Sequence, residues 1–169
     1  MRVGRCSHPL KVILSSTSPN FGLVRKLAMF EQLGGLEARK AAKEFWTRPS
    51  ELSYGVYQKI CRPFYSTVAP LNNNTSLRAT FNNEMLFSWA NGEHQNMNLL
   101  QGLALVQCPV LVLAGELDPV CPLEDSRDIA VALPEQFVQF EQYRDCGHGV
   151  WRDDPNKIFL RLRKFILED

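Results

Sequence analysis

The sequence predicts an α/β protein with a parallel sheet, and three of its features lead to this prediction. Residues 109–115, PVLVLAG, form an unbroken apolar run, as expected of a strand that helices cover on both faces. A helical pattern over residues 122–134 and an alternating pattern over residues 136–143 follow. Residues 10–15, LKVILS, form a second compact, β-branched run far upstream. We therefore expect about three parallel core strands, with helices between them.

The last helix and the middle of the chain complete the predicted organisation. Pro155 opens a segment whose apolar residues have helical spacing, namely Ile158, Leu162, Phe165 and Ile166. Residues 20–100, by contrast, contain few β-branched runs and many aromatic residues. We predict a core strand and loop over residues 1–19, a helical insertion over residues 20–100, and a C-terminal α/β core over residues 101–169.

Helical spacing marks five segments of the insertion. The pair Gly34–Gly35 lies between the first two segments and predicts a helix break, because glycine is a poor helix former. The segments with helical spacing are residues 22–34, 36–46, 50–65, 75–89 and 97–107.

Charge and hydropathy exclude several classes of function. The chain has 19 basic and 18 acidic residues, a net charge of +1 and no basic stripe, so nucleic acid is not an expected partner. No apolar stretch approaches the roughly 20 residues that span a bilayer, so no membrane association is expected. The apolar run near the N-terminus is too short and too interrupted for a signal peptide. We therefore expect a cytoplasmic protein.

The cysteines argue against a disulfide framework. Their number is odd and no C-x-x-C motif occurs, which also argues against a zinc site. The cysteines are Cys6, Cys61, Cys108, Cys121 and Cys146. The sequence also lacks a Gly-rich phosphate-binding loop. We predict reduced thiols, no metal site and no cofactor.

Two ionisable side chains follow neighbouring strands of the predicted sheet. Asp118 follows the strand at 109–114, and His148 follows the strand around 136–142. One strand–helix–strand crossover separates them, and such crossovers return the chain to the edge where open α/β sheets bind ligands. Taken singly, Asp118 fits a turn residue before Pro119 and His148 an exposed loop residue, but these interpretations do not account for the shared edge. We therefore predict that Asp118 orients His148 as a general base for a nucleophile.

The motifs around this pair resemble a known family. GELDPVCP, followed by GHGVWRDDP and a last amphipathic helix, is similar to the C-terminal part of α/β-hydrolases, and most similar to proline-iminopeptidase-like serine hydrolases. SHPLKVILSSTSP is similar to the segment after the nucleophile helix in that family. The resemblance implies a partial α/β-hydrolase fold, a helical cap over residues 20–100, and a Ser-Asp-His triad that contains Asp118 and His148. It also implies a small-molecule or peptide substrate, cleaved at an N-terminal proline or at a small amide or ester.

The nucleophile implied by this resemblance is not found in the sequence. No G-x-S-x-G elbow occurs, and Ser7 lacks the flanking glycines. The other serines before the cap follow a different strand: Ser15, Ser16 and Ser18. We expect the chain alone to be inactive, with the serine supplied by a separate N-terminal half. Self-association through the bare edge of strand 10–15 is the other partner arrangement that we expect.

Three interpretations of the function stay open on the sequence alone. The first is a proline-iminopeptidase-like hydrolase. The second is a non-catalytic truncated fragment or interaction module that keeps the cap and half of the sheet as a binding surface. The third is an esterase, lactonase or epoxide-type hydrolase with the same acid–base pair, because one fold serves many reactions.

Three further residues are candidate substrate contacts. The resemblance implies that carboxylates of the cap bind the free amino terminus of a substrate, and Glu84 and Glu93 are the candidates nearest the acid strand. Trp151, three residues after His148, is a candidate contact between the site and the cap. Cys121 and Cys146 lie near the predicted site, and we interpret both as packing residues because neither has an activating partner in the sequence.

Overall fold

Three parallel strands form a sheet in the part of the chain that the structure describes. The computed structural model describes residues 9–69 and 80–167. Strands β1 (Val12–Ser15), β2 (Val110–Gly115) and β3 (Val138–Tyr143) lie in the order β1-β2-β3. Both outer strands run parallel to β2. The predicted core of three parallel strands is therefore confirmed.

The insertion begins with two helical parts that meet at a sharp kink. Helix α1 (Leu23–Thr47) consists of these two parts, and Gly35 between them has non-helical backbone angles, with a φ of 68° and a ψ of −167°. Glycine adopts a positive φ readily because it has no Cβ. The predicted helix break is therefore found at Gly35, and the two segments predicted on either side of it are the two parts of α1.

Helix α2 (Glu51–Ile60) packs against α1 and forms a second apolar core with it. Ser50 begins α2, because its hydroxyl accepts a hydrogen bond from Ser53 N–H while the Ser53 hydroxyl accepts one from Ser50 N–H. A 3₁₀ turn, Arg62–Tyr65, follows α2. The buried aromatic side chains between the two helices are Phe30, Phe45, Trp46 and Tyr57.

Three short helices complete the insertion: α3 (Asn83–Asn91), α4 (Glu93–Asn96) and α5 (Leu100–Leu103). Helix α3 begins where the Asn82 side chain accepts a hydrogen bond from Met85 N–H. The first part of the helix predicted at 75–89 lies outside the described residues.

The helix predicted at 97–107 is reduced to the single turn of α5. Its first residues are extended instead, since Asn98 forms a β-bridge with Asn20 and Leu99 N–H donates to the Pro19 carbonyl. This contact joins the end of the insertion to its beginning. It involves residues far apart in the chain, so helical spacing alone gives the wrong structure here.

Helices on both faces of the sheet account for the apolar run of β2. Helix α6 (Leu123–Ala132) packs on the face that carries Val110 and Val112, and α8 (Pro155–Leu167) packs near Leu111 and Leu113 on the other face. Helix α7 (Val150–Asp153) is a single turn before α8. Every residue of β2 is buried as a result, and each large apolar side chain buried in this way contributes about 1.5–3 kcal/mol to stability. Among the described helices, none has both the length and the continuous apolar character that a bilayer crossing requires.

One edge of β1 has no strand beside it in the part of the chain that the structure describes. β1 pairs with β2 alone, and Ile13 is 38% exposed. The other apolar residues of β1, Val12 and Leu14, pack into the core on the α6 side. An edge of this kind presents backbone N–H and C=O groups that a further strand can bind.

Candidate active site

Asp118 and His148 lie side by side at the carboxyl edge of the sheet. β2 and β3 end together, with Gly115 paired to Tyr143. The loops that follow the two strands therefore meet at this edge. Asp118 Oδ2 lies 3.1 Å from His148 Nδ1. The structure thus brings together the two residues that the sequence predicts to act as a pair.

The two carboxylate oxygens of Asp118 have different partners. Oδ1 accepts hydrogen bonds from the backbone N–H groups of Val120 and Cys121, each at 2.8 Å, and the side chain is fully buried. Oδ2 faces His148. Because a carboxylate accepts hydrogen bonds, Nδ1 of His148 carries the proton and donates it. Asp118 therefore both shapes the turn after β2 and orients the histidine.

His148 is held by backbone contacts on both sides and stays partly open. Its side chain is 25% exposed, and with Nδ1 facing Asp118 the free nitrogen is Nε2. Gly147 N–H donates to the Asp153 carboxylate at 2.6 Å. Gly149 has a φ of 105°, which residues with a side chain rarely adopt, and its N–H donates to Ser16 Oγ at 2.9 Å. The loop is thus fixed before and after the imidazole.

Ser16 anchors the histidine loop from the end of β1. Its side-chain oxygen accepts the hydrogen bond from Gly149, and the residue is 8% exposed. Its φ of 50° is unusual for a residue other than glycine. Sequence reasoning treats Ser16 only as a poor nucleophile candidate. A contact across 133 residues leaves no local signal from which this anchoring role could be inferred.

Tyr65 brings the insertion into contact with His148. The two rings meet edge to face, with centroids 5.2 Å apart, and the Tyr65 hydroxyl lies 2.6 Å from that of Tyr57. Burial raises the pKa of Tyr65 to about 12, so the phenol is uncharged at neutral pH. The 3₁₀ turn thus covers one side of the imidazole with an aromatic ring, a contact that the sequence pattern does not reveal.

Cys121 lies close to the Asp118–His148 pair. Its sulfur, a carboxylate oxygen of Asp118 and a ring nitrogen of His148 all lie within 4.8 Å of one another. Burial, with a smaller effect from the Asp118 charge, raises the pKa of the Cys121 thiol to about 12. Burial likewise raises the pKa of Cys146 to about 11. Both thiols are protonated at neutral pH, so neither is an activated nucleophile in place of a serine.

Lys26 connects helix α1 to the turn that contains Asp118. Its side chain is 1% exposed, and Nζ donates to the Val120 carbonyl at 2.6 Å. The same ammonium lies 5.9 Å from the centre of the Trp46 ring, within reach of a cation–π interaction. Val120 N–H donates to Asp118, so Val120 connects Lys26 of the insertion to the acid.

The predicted substrate contacts are exposed. Glu84 and Glu93 lie in the first turns of α3 and α4 and point to solvent, and no hydrogen bond within the described residues joins either of them to Asp118 or His148. Trp151 is 40% exposed, with the Arg152 guanidinium 5.7 Å from its ring centre. Their part in substrate binding stays a prediction.

Comparisons with known proteins find the fold among solved structures. No protein-family model and no curated protein matches the chain. An α/β fold family hydrolase from Bacillus anthracis str. Sterne matches at 13% identity and a TM-score of 0.63, over 92% of this chain and 58% of that chain. The esterase EaEST from Exiguobacterium antarcticum matches at 16% identity and a TM-score of 0.63, over 94% of this chain and 57% of that chain. MenH from S. aureus matches at 21% identity and a TM-score of 0.61, over 93% of this chain and 58% of that chain.

These likenesses define the class of structure. Similarity of this extent shows that the chain has part of the α/β-hydrolase fold, and the predicted partial fold is thereby confirmed. Identities of 13–21% carry no activity from one protein to another. The chain spans between 57% and 58% of the length of these three solved structures. The remainder of those chains has no counterpart among the 169 residues.

Proposed function

We propose that this chain supplies the acid and the base of an α/β-hydrolase that cleaves amides or esters. The observation that carries the proposal is the contact of Asp118 Oδ2 with His148 Nδ1 at the carboxyl edge of a parallel sheet. Burial of the acid and partial exposure of the base are the arrangement that general acid–base catalysis needs. The hydrogen bond fixes one tautomer of the imidazole and leaves Nε2 for the reaction.

In the proposed reaction His148 accepts a proton and passes it on in each of two steps. Nε2 takes the proton of a serine hydroxyl while the serine oxygen bonds to the substrate carbonyl carbon, and Asp118 stabilises the imidazolium that results. The imidazolium then gives this proton to the leaving amine or alcohol as the bond to it breaks. A water molecule then gives a proton to Nε2 while its oxygen bonds to the acyl carbon. The imidazolium returns this proton to the serine oxygen as the acyl–serine bond breaks and the acid product leaves. A positioned base of this kind contributes about 10²–10⁴-fold to the rate.

The serine in this proposal comes from a segment outside these 169 residues, either in the same polypeptide or in a partner. Two observations support this source. No G-x-S-x-G motif occurs in the sequence. Within the described residues, β1 has a free edge and belongs to the same sheet as β2 and β3, the strands that precede the loops with the acid and the base. A strand that pairs with this edge and ends in a serine would present its hydroxyl at the edge that carries His148.

The substrate that we propose first is a peptide with an N-terminal proline, as the similarity of GELDPVCP and GHGVWRDDP to proline iminopeptidases implies. In this version Glu84 or Glu93 binds the amino group and Trp151 contacts the substrate side of the cap. The second candidate is a small ester. It is favoured by the esterase that the chain resembles in structure and by the aromatic, uncharged surface that Tyr65 presents beside His148.

A chromogenic assay tests the function and separates the two substrates. The chain would be mixed with a fragment that supplies the missing part of the fold with its G-x-S-x-G motif, and then given proline p-nitroanilide or p-nitrophenyl acetate. We expect no turnover by the chain alone and turnover by the mixture. Preference for the anilide would support the peptidase, and preference for the acetate would support the esterase.

Two variants serve as controls for this assay. His148→Ala should abolish the activity of the mixture because the base is lost. Cys108→Ser, at a buried thiol that lies just before β2, should keep it. If the mixture assembles as a stable complex yet neither substrate is turned over, the proposed cleavage of amides or esters is contradicted.

A further inference from the structure

A third side chain beside the Asp118–His148 pair changes what this edge of the sheet can bind. The ligand atoms of Asp118, Cys121 and His148 lie within 4.8 Å of one another. They come from two loops, since Asp118 and Cys121 follow β2 while His148 follows β3. The sequence gives no hint of such a site, because the spacing of these residues matches no zinc motif.

We propose that Asp118, Cys121 and His148 form a binding site for a borderline divalent cation, of which Zn²⁺ is the most suitable. A thiolate, an imidazole and a carboxylate are all ordinary zinc ligands, with distances of about 2.0–2.3 Å from the metal. Ligands at those distances lie about 3.5 Å apart around a tetrahedral ion, so a small closure of this group is enough. Mg²⁺ and Ca²⁺ prefer sites made of oxygen alone and fit this group poorly.

The surroundings of the group favour a cation in one position. Oδ1 of Asp118 is occupied by two backbone N–H groups, so Oδ2 is the oxygen that can bind the metal. Those same bonds hold the turn on which Cys121 lies, so two ligands are fixed relative to each other before a metal arrives. His148 is 25% exposed, which gives an entry path and leaves a fourth position for water.

Binding releases one proton and conserves the others. The S–H bond of Cys121 breaks, its proton goes to solvent, and the sulfur bonds to the metal as a thiolate. Neutral His148 gives the lone pair of one ring nitrogen and keeps its single proton on the other. Asp118 binds through its ionised oxygen. Affinity should therefore rise with pH.

A cation at this site would stop the reaction proposed above. Both nitrogens of His148 are needed there, Nδ1 toward Asp118 and Nε2 toward the serine, so a metal on either one disables the base. Only this inhibition rests on the proposed function. The cation site itself depends on the three side chains alone.

Cobalt spectroscopy on the full chain tests the site without any assay of activity. Co²⁺ added to the reduced protein should give the near-ultraviolet band of a thiolate–cobalt bond, and Zn²⁺ should remove the band by displacement while Mg²⁺ should not. Cys121→Ser should lose the band and weaken zinc binding at least about tenfold, since even indirect partners of a metal contribute 10–100-fold. Cys108→Ser, which replaces another buried thiol, is the matched control and should keep both the cobalt band and the zinc affinity.

A second variant keeps the test decisive if Cys121→Ser does not fold. His148→Ala changes a partly exposed side chain and should weaken zinc binding by a similar factor. The proposal is overturned if the wild-type chain gives no thiolate band at millimolar Co²⁺, or if folded Cys121→Ser or His148→Ala binds Zn²⁺ as tightly as the wild type. Inhibition of the reconstituted hydrolase by Zn²⁺ is a separate measurement, and its absence would leave the cation site intact.

Discussion

Asp118 acts on both sides of its carboxylate. Through Oδ1 it stabilises the turn after β2, and through Oδ2 it orients His148. Removing a buried acceptor of two backbone N–H groups leaves both unsatisfied, which costs about 1–3 kcal/mol for each group. The two roles can be separated by substitution, because asparagine has the shape of aspartate but only one acceptor oxygen.

Asp118→Asn should leave the fold almost unchanged and remove the activity of the reconstituted enzyme. Its amide oxygen can keep the bonds to Val120 and Cys121, while its NH₂ group faces Nδ1 and favours the wrong tautomer of His148. We expect a loss of about 10⁴-fold in kcat, as in hydrolases with the same pair, and a change in unfolding free energy of less than about 1 kcal/mol. Turnover and urea denaturation would be measured on the same sample, with Asp118→Ala as the variant that should lose stability as well. Full activity in Asp118→Asn would contradict the orienting role.

We expect His94 to make the insertion sensitive to acid. The side chain is 4% exposed and stacks on Trp89 with ring centroids 4.1 Å apart. Its Nδ1 has no hydrogen-bond partner among residues 9–69 and 80–167. Burial, with a smaller effect from Lys26, lowers the pKa of His94 from 6.5 to about 4. His94 therefore binds a proton below about pH 6.5 in the unfolded chain, but only below about pH 4 in the folded chain. Stability should therefore fall between these two values as the pH decreases.

His94→Phe should remove this part of the acid sensitivity. Phenylalanine fills the same aromatic site and cannot be protonated. The free energy of unfolding, measured by urea denaturation at several pH values from 7 to 4.5, should decrease less steeply in the variant than in the wild type. Equal slopes for the two proteins would show that His94 is not the residue responsible.

At the scale of elements, Gly115 sets the distance between the end of β2 and the histidine loop. A Cβ at this position would overlap the carbonyl oxygens of Cys146 and Gly147. These are backbone atoms, which cannot rotate away as a flexible side chain can. Glycine at 115 is therefore required for the close approach that brings His148 beside Asp118.

Gly115→Ala should accordingly destabilise the protein and displace His148. Overpacking of this kind costs about 1–3 kcal/mol. Gly55→Ala is the control, because nothing lies within 4 Å of a Cβ there and the residue is inside α2, where alanine should stabilise by about 0.5–1 kcal/mol. Thermal unfolding of both variants gives the comparison. A Gly115→Ala protein as stable as the wild type would mean that the loop is not held as close as the structure has it.

The elements best predicted from the sequence are those with a strong local pattern. The apolar run of β2 and the helical spacing of α8 each predict the correct element. A strand that is buried on both faces has a continuous apolar run, and a helix that is buried on one face has apolar residues three or four positions apart. The segment at 97–107 has helical spacing as well, yet the bridge from Asn98 to Asn20 prevents a long helix. Such a long-range contact overrides local preference and has no signature in the segment itself.

The same difference divides the candidate site. Asp118 and His148 were predicted because each directly follows a strand and topology alone brings strand ends together. Ser16 and Tyr65 were not predicted, since their roles depend on contacts with the histidine loop and the imidazole ring that only packing creates. Cys121 is expected near Asp118 because it lies three residues later, whereas its proximity to His148 depends on the course of the two loops.

For the molecule as a whole, we expect behaviour in solution to depend most on the edge of β1 that has no neighbouring strand within the described residues. The strand is apolar, and within the described residues it pairs on one side alone. We expect the isolated chain to self-associate through this edge, or to bind a strand that completes the sheet, because unpaired edges recruit other chains.

Ile13→Lys should reduce this self-association. Ile13 is the exposed apolar side chain of β1, and a charge on an edge strand opposes pairing with a second copy. Val131→Lys on α6, at a side chain that is 87% exposed and away from the edge, should have no effect. Sedimentation velocity over a range of concentrations would compare the three proteins. A wild-type chain that stays monomeric at all of them would contradict the proposal.

We propose that this chain holds a working acid–base pair and that its nucleophile comes from another segment. Labelling with a fluorophosphonate probe tests it most directly, since the probe reacts with a serine only when a base activates that serine. We expect no label on the 169-residue chain and strong label on the serine of an added G-x-S-x-G fragment. This label should be lost when His148 is changed to alanine. A label on the isolated chain, or labelling of the fragment that does not depend on His148, would contradict the account.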